Sequence, residues 1–247
     1  MTRFLGKASI GWIILLLSIV STEAWSADDG LTQAAEKGNF PLVKKILDTQ
    51  RIDQEELNAA FLAAVKKGHA AIIERFLQAG VDVNLRANDH YTPLMRSARD
   101  GRDQAVEILL AAGAEVSAAA EEDGTALMLA AEKDRRKAVD LLLAAKAEVN
   151  TKRADGMTAL TLAAQQGHRQ TMQTLINAGA EVNYQLENGA TALMLAAQQG
   201  HLGAVHVLLA ANANPNLKAS NGATALSLAN HYRYREVIEL LTKAGAK

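Results

Sequence analysis

The strongest constraint on the fold is a thirteen-residue stretch that occurs twice. "GMTALTLAAQQGH" at 156–168 and "GATALMLAAQQGH" at 189–201 are nearly identical and lie 33 residues apart. The same pattern is opened, always at this spacing, by Thr92, Thr125, Thr158, Thr191 and Thr224. A period between about 20 and 50 residues indicates stacked repeats, not a single globular core. The sequence therefore predicts a repeat solenoid in which each unit contacts only its neighbours.

Two further positions keep the same period. A position at the junction of two helical stretches is occupied by Gly68, Gly101, Asp134, Gly167, Gly200 and Arg233. A closing position is occupied by Asn84, Ser117, Asn150, Asn183 and Asn216. Three markers with one period predict seven units, including the two terminal caps, within a domain over 27–247. Their approximate bounds are 29–53, 54–84, 85–117, 118–150, 151–183, 184–216 and 217–247.

The order within a unit is helix, turn, helix and hairpin. Thr191 is a helix N-cap residue, and Gly200 ends the helix that follows, where a positive φ is needed. In the second helix, Val205, Leu208 and Leu209 have the i, i+3, i+4 spacing of a buried stripe. The dipeptide Asn188–Gly189 predicts a tight turn at the hairpin tip. The predicted fold class is an all-α repeat solenoid.

These motifs resemble those of the ankyrin repeat family. The resemblance is carried by the 33-residue period, the Thr-Pro-Leu opening at 92–94, the Gly-His pairs at 167–168 and 200–201, and the closing "AGAEVN" at 178–183. It covers about residues 29–247. It implies stacked helical units whose hairpin tips and first helices line a concave face that binds other proteins.

The sequence departs from the family pattern in two places. The opening histidine of the family is replaced by Met95, Met128, Thr161, Met194 and Ser227. We expect flexible apolar packing there in place of a polar ladder between units. The distance from Gly38 to Gly68 is only 30 residues, so the first link is shortened. A helix starting near Glu55, without a full hairpin tip, is expected at this link.

The N-terminus has the pattern of a secretory signal peptide over residues 1–26. Arg3 and Lys7 precede an apolar run over 8–20, and a short polar stretch follows. The run is shorter than the roughly 20 residues that a membrane span needs. Cleavage is predicted after Ser26, with cuts after Ala24 or Ala27 as alternatives. This predicts a periplasmic or secreted protein; the alternative is an uncleaved N-terminus that anchors the chain in the membrane.

Composition excludes several kinds of chemistry. The chain contains no cysteine, which removes disulfides and thiol catalysis, and its net charge of −1 does not favour nucleic acid. His69, His168 and His201 fill the Gly-His position, where a structural hydrogen bond is expected. We therefore predict no enzyme, no catalytic residue, no metal and no cofactor. The chain is expected to be a monomer that makes no membrane contact once the signal peptide is removed.

The remaining function is recognition of a protein partner on the concave face. The candidate contact residues are Lys66, Lys67, Arg86, Tyr91, Arg96, Arg99, Lys133, Met157, Gln165, Gln166, Gln198, Gln199 and Tyr232. The N-terminal half of this set is basic, which favours an acidic partner segment with Tyr91 as an anchor. An ordinary solvated face is the alternative interpretation of these charges. A secreted effector, or a neutralising protein that acts outside the producing cell, is the alternative function.

Overall fold

The computed structural model describes residues 30–87, 89–120 and 124–247. The first helix of each unit belongs to what we call the first row: α1 Leu31–Lys37, α3 Gln54–Lys67, α5 Pro93–Asp100, α7 Ala126–Glu132, α9 Ala159–Gln166, α11 Ala192–Gln198 and α13 Ala225–Tyr232. The second row contains α2 Phe40–Thr49, α4 Ala70–Gln78, α6 Asp103–Ala111, α8 Arg136–Ala144, α10 Arg169–Asn177, α12 Leu202–Ala210 and α14 Arg235–Lys243. Two short strands, β1 Ala119–Ala120 and β2 Gly124–Thr125, pair antiparallel.

The two rows form two continuous layers. Each first-row helix contacts the next first-row helix, each second-row helix contacts the next second-row helix, and the two helices of a unit contact each other. The alanine pairs at 130–131, 163–164 and 196–197 are completely buried, so small side chains lie where neighbouring helices approach most closely. This arrangement confirms the predicted all-α repeat solenoid.

Two predicted segments lie outside the described residues. They are the signal peptide at 1–26 and an acidic run at 121–123. Across 30–87, 89–120 and 124–247, no helix combines the length and the apolar character that crossing a bilayer requires.

The repeated threonines begin the first-row helices. The Thr191 hydroxyl accepts a hydrogen bond from the N–H of Met194 at 3.2 Å, and the same bond recurs at the other four threonines. The expectation of purely apolar packing three residues later is wrong at two positions. The hydroxyl of Thr161 accepts from the N–H of Thr158 at 2.7 Å, and Ser227 repeats this bond on Thr224 at 2.9 Å. A reciprocal polar cap therefore replaces the family's histidine there.

The Gly-His pairs tie successive units together. Gly167 has a φ of +75°, and a Cβ at this position would lie 2.7 Å from the ring of His201 in the next unit. Because a carbonyl oxygen can only accept, Nε2 of His201 donates to the carbonyl of Gln165 at 3.1 Å. His69 and His168 make the equivalent bonds. The predicted structural role of these three histidines is confirmed.

The buried stripe of the second-row helices differs by one position from the prediction. Val205 and Leu208 are completely buried and Val207 is nearly so, whereas Leu209 is only half-buried. Leu209 packs against the edge of the core, so the prediction of a buried Leu209 is wrong.

The closing asparagines form a ladder along the stack. Asn150, Asn183 and Asn216 each accept from a backbone N–H 31 residues later and donate to a carbonyl 29 residues later, at distances between 2.7 and 3.2 Å. Asn84 accepts from the N–H of Glu115 at 2.8 Å. Ser117 occupies the equivalent position between Asn84 and Asn150 but has no side-chain amide. The amide ladder is therefore interrupted between the third and fourth units.

The link between the first two units differs from all later links. Asp53 caps α3 through the N–H of Glu56 at 2.8 Å, and α3 has 14 residues where the other first-row helices have 7 or 8. Its added turns stand in sequence register with a hairpin of the later units. The predicted helix start near Glu55, without a full hairpin tip, is confirmed.

Candidate protein-binding face

The candidate face consists of first-row helices and the hairpins between units. We call these hairpins fingers and number them in chain order: 84–92, 117–125, 150–158, 183–191 and 216–224. The exposed side of the first-row helices together with the fingers is called the first-row face below.

Each first-row helix from α3 onward ends with two side chains that reach this face. The pairs are Lys66–Lys67, Arg99–Asp100, Glu132–Lys133, Gln165–Gln166, Gln198–Gln199 and His231–Tyr232. All twelve residues are exposed or half-buried, while the alanines directly before most of these pairs are completely buried. The framework is thus constant and the paired positions vary in charge and size.

Most of the predicted cations are already paired within the chain. Arg96 donates two hydrogen bonds to the carboxylate of Asp89, at 2.8 and 2.9 Å. Arg99 donates to Asp100 at 3.0 Å, a bond that raises the pKa of its guanidinium. Ion pairs also join Lys67 to Glu36 at 3.2 Å and Lys133 to Glu132 at 2.9 Å. The basic character expected for the N-terminal half is therefore largely neutralised by the fold itself.

Two predicted contact residues turn inward instead of projecting from a finger. Tyr91 is 7% exposed and Met157 is 6% exposed. The Arg99 guanidinium lies 5.0 Å from the centre of the Tyr91 ring, which it covers from outside. The expectation that these side chains stand at exposed tips is wrong, because the residue before each capping threonine packs beneath its finger.

Arg86 links two fingers. Its Nη1 donates to the carbonyl of His90 at 3.0 Å in its own finger and to the carbonyl of Ala119 at 3.2 Å in the next. Gln185 repeats this pattern one finger pair later, donating to the carbonyl of Lys218 at 3.2 Å. In both cases, a side chain donates to the backbone 33 residues further on. Bonds of this kind align successive fingers along one edge of the stack.

The third finger carries its own ion pair. Arg153 donates two hydrogen bonds to Asp155, at 2.6 and 3.0 Å, and this contact holds the pKa of the Asp155 carboxyl below its ordinary value. Lys152 lies 4.4 Å from the ring centre of Tyr184 in the following finger. The charges of this finger are therefore engaged by neighbouring groups.

The C-terminal end of the face is aromatic. Tyr232 is 46% exposed and stacks on Tyr234, with ring centres 6.1 Å apart, and His231 meets Tyr232 edge-on at 4.8 Å. Only Tyr232 of these three was among the sequence candidates. The interleaved "HYRYR" at 231–235 is the signal that could have indicated the cluster.

The remaining candidates lie where the period places them. Lys66, Gln166 and Gln199 are exposed, whereas Gln165 and Gln198 are half-buried. Within the described part of the chain, no group of three His, Asp or Glu side chains is arranged to hold a metal ion.

The comparisons with known proteins agree with this architecture. A family model described as ankyrin repeats (3 copies) matches residues 31–120, 116–185 and 178–247. A search among curated proteins finds no match.

Proposed function

The chain belongs to the ankyrin repeat family, and from this premise we propose that it is an exported, non-catalytic module that binds a protein partner on its first-row face. Ankyrin repeats generally mediate protein–protein interaction, and proteins built from them are typically non-catalytic. The family relationship supports protein binding in general; the face and the compartment are our proposal.

The observation that carries the choice of face is the row of paired side chains before each helix end. Six consecutive helices present two variable side chains each from the same position, above a buried framework of alanines and leucines. In a solenoid, such a row can change its partner without changing the contacts that stabilise the stack. The exposed glutamines at 166 and 199 lie near the middle of the row.

Photo-crosslinking tests this choice of face. A photoreactive amino acid replaces Gln166 or Gln199 on the first-row face, or Gln104 or Gln173 on exposed positions of the second-row helices. The proposal expects one shared partner to be crosslinked from positions 166 and 199 and not from 104 and 173. Crosslinks from the second-row positions alone would place the binding surface on the opposite side of the stack.

Export is proposed from the N-terminal sequence. Two cations, an apolar run of 13 residues and a short polar stretch are the features of a cleaved secretory signal. Mass spectrometry of the native protein should find a new N-terminus at Ala27, or at the neighbouring sites Trp25 and Asp28. Finding an N-terminus at Met1 would instead support membrane anchoring through the N-terminal segment.

The alternative of a secreted effector or neutralising protein shares the same fold and face. Cell fractionation separates the two functions, because a resident periplasmic module stays in the envelope fraction. Accumulation of the mature chain in the culture medium would favour the effector.

A further inference from the structure

A groove lies between the N-terminal turns of α3 and the first finger. Its volume is about 750 Å³. One wall is formed by Glu55, Asn58, Ala59 and Leu62, which have the i, i+3, i+4, i+7 spacing of a single helix face. The other wall contains Leu85, Arg86, Ala87 and Asp89, and Arg96 from α5 completes the lining.

The groove results from the unusual first link. Between later units, a finger follows a finger, and side chains such as Arg86 and Gln185 bridge the two. The first finger instead has a helix beside it, because α3 extends through the sequence positions that form a finger elsewhere. The two surfaces do not share the same backbone geometry, so a gap remains between them.

The first finger presents a backbone group that its later equivalents use for docking. The carbonyls of Ala119 and Lys218 each accept from a side chain of the preceding finger. The carbonyl of Arg86 occupies the equivalent position 33 residues before Ala119, and residues 50–53 form no finger that could donate to it. The Arg86 side chain itself is directed to His90 and to the second finger.

The lining also indicates the chemistry of an occupant. Ala59, Leu62 and Leu85 provide apolar contact area, and Glu55 adds an exposed carboxylate at the edge. The charge of Asp89 is held by Arg96 at 2.8 Å, so Glu55 is the carboxylate left to attract a cation. The stack itself uses guanidinium and amide donors at the equivalent finger carbonyls.

We propose that this groove binds an extended, finger-like segment of the partner protein that carries an arginine beside an apolar residue. The guanidinium donates to the carbonyl of Arg86 and pairs with Glu55, while the apolar side chain packs on Leu62 and Leu85. This mode continues the bonding between fingers with a segment from another chain, as edge-on peptide addition does in sheets. The proposal rests on the proposed function only in requiring a protein partner.

A free peptide with the sequence of the first finger, "NLRANDHYT", serves as the probe, because within the chain its arginine makes this bond to the next finger. NMR of the full chain should show amide shifts at Leu62, Leu85 and Ala87 on titration with the peptide. Replacing the peptide's arginine with alanine should weaken binding about fivefold, as expected for one lost hydrogen bond. The variant Ala59→Arg, which fills the groove, should abolish the shifts, and Ala71→Arg, at an exposed position of α4, should leave them unchanged.

The same experiment can overturn the proposal. No shifts in the groove, equal binding of the alanine peptide, or shifts that persist in Ala59→Arg each exclude the assigned site. Concentration-dependent dimerisation that Ala59→Arg abolishes, measured by sedimentation, would assign the groove to a second copy of the chain. Crosslinking from 166 and 199 does not involve these residues, so the groove and the proposed function can fail separately.

Discussion

The side-chain oxygen of Asn183 lies 2.7 Å from the backbone N–H of Asn214, one unit later, and its amide donates to the carbonyl of Asn212 at 3.2 Å. Ser117 is too short to make this pair of bonds. We expect Ser117→Asn to form them with the N–H of Glu148 and the carbonyl of Lys146. The free energy of unfolding should rise by about 1 kcal/mol, measured by urea denaturation. Asn183→Ser is the control and should lower it by a similar amount; a stabilised Asn183→Ser variant would show that the ladder does not stabilise the stack.

Lys146 has a φ of +62°, whereas Gly113 and Gly179 occupy the equivalent positions of the neighbouring units. Because a side chain is strained in this conformation, Lys146→Gly should stabilise the fold by up to about 1 kcal/mol. Asp134 has a φ of +52°, but its carboxylate accepts from the hydroxyl of Thr171 at 2.6 Å. Asp134→Gly loses this bond and should give no gain. Thermal unfolding of both variants tests the difference, and equal gains would contradict it.

Arg96 stands where the later units have leucine. Its side chain is 16% exposed, and its Nε is buried without a hydrogen-bond partner among the described residues. We expect Arg96→Leu to be neutral or to stabilise the fold by about 1 kcal/mol, because Asp89 remains 44% exposed and can be solvated. Arg96→Glu should destabilise, since it places a carboxylate against Asp89. Calorimetry of the two variants checks this, and a large loss in Arg96→Leu would show that the ion pair is essential.

Leu208 and Leu209 are adjacent in α12 but differ in burial. Leu208→Ala removes a completely buried side chain and should cost about 2 to 5 kcal/mol through the cavity it leaves. Leu209→Ala, at a half-buried position, should cost only about 1 kcal/mol. Denaturant unfolding of the two variants measures both. Equal losses would mean that Leu209 packs as deeply as Leu208.

The pH dependence of the third finger follows from the Arg153–Asp155 pair. Since the hydrogen bonds from Arg153 lower the pKa of Asp155 in the folded state, the pair stabilises the finger above the ordinary carboxyl pKa of about 3.9. This contribution is lost as the pH falls through the lowered pKa. NMR titration of the Asp155 carboxyl carbon should therefore show a midpoint below the ordinary value. In Arg153→Gln the midpoint should move upward, and an unchanged midpoint would assign the shift to another group.

The periodic sequence was sufficient to predict the framework. Thr191, Gly200 and His201 act locally or on the adjacent unit, so their roles recur with the period and can be recognised from a single chain. The irregular first link was also predictable, because Asp53 begins a helix by a local capping bond.

The candidate face was less predictable, since it depends on side-chain directions. Tyr91 and Met157 occupy finger positions by number, yet their side chains pack inward. Arg96 pairs with Asp89 across a change of chain direction, which spacing alone does not indicate. The groove beside α3 arises from two different backbone geometries meeting, and no single residue marks it.

The interrupted amide ladder also affects how the molecule responds to mechanical load. A stack of this kind transmits tension from one unit to the next, and it parts where adjacent units share the fewest bonds. The third and fourth units lack the pair of bonds that an asparagine at position 117 would supply. A molecule pulled by its two ends would therefore tear first near its middle, leaving three units on one side and four on the other.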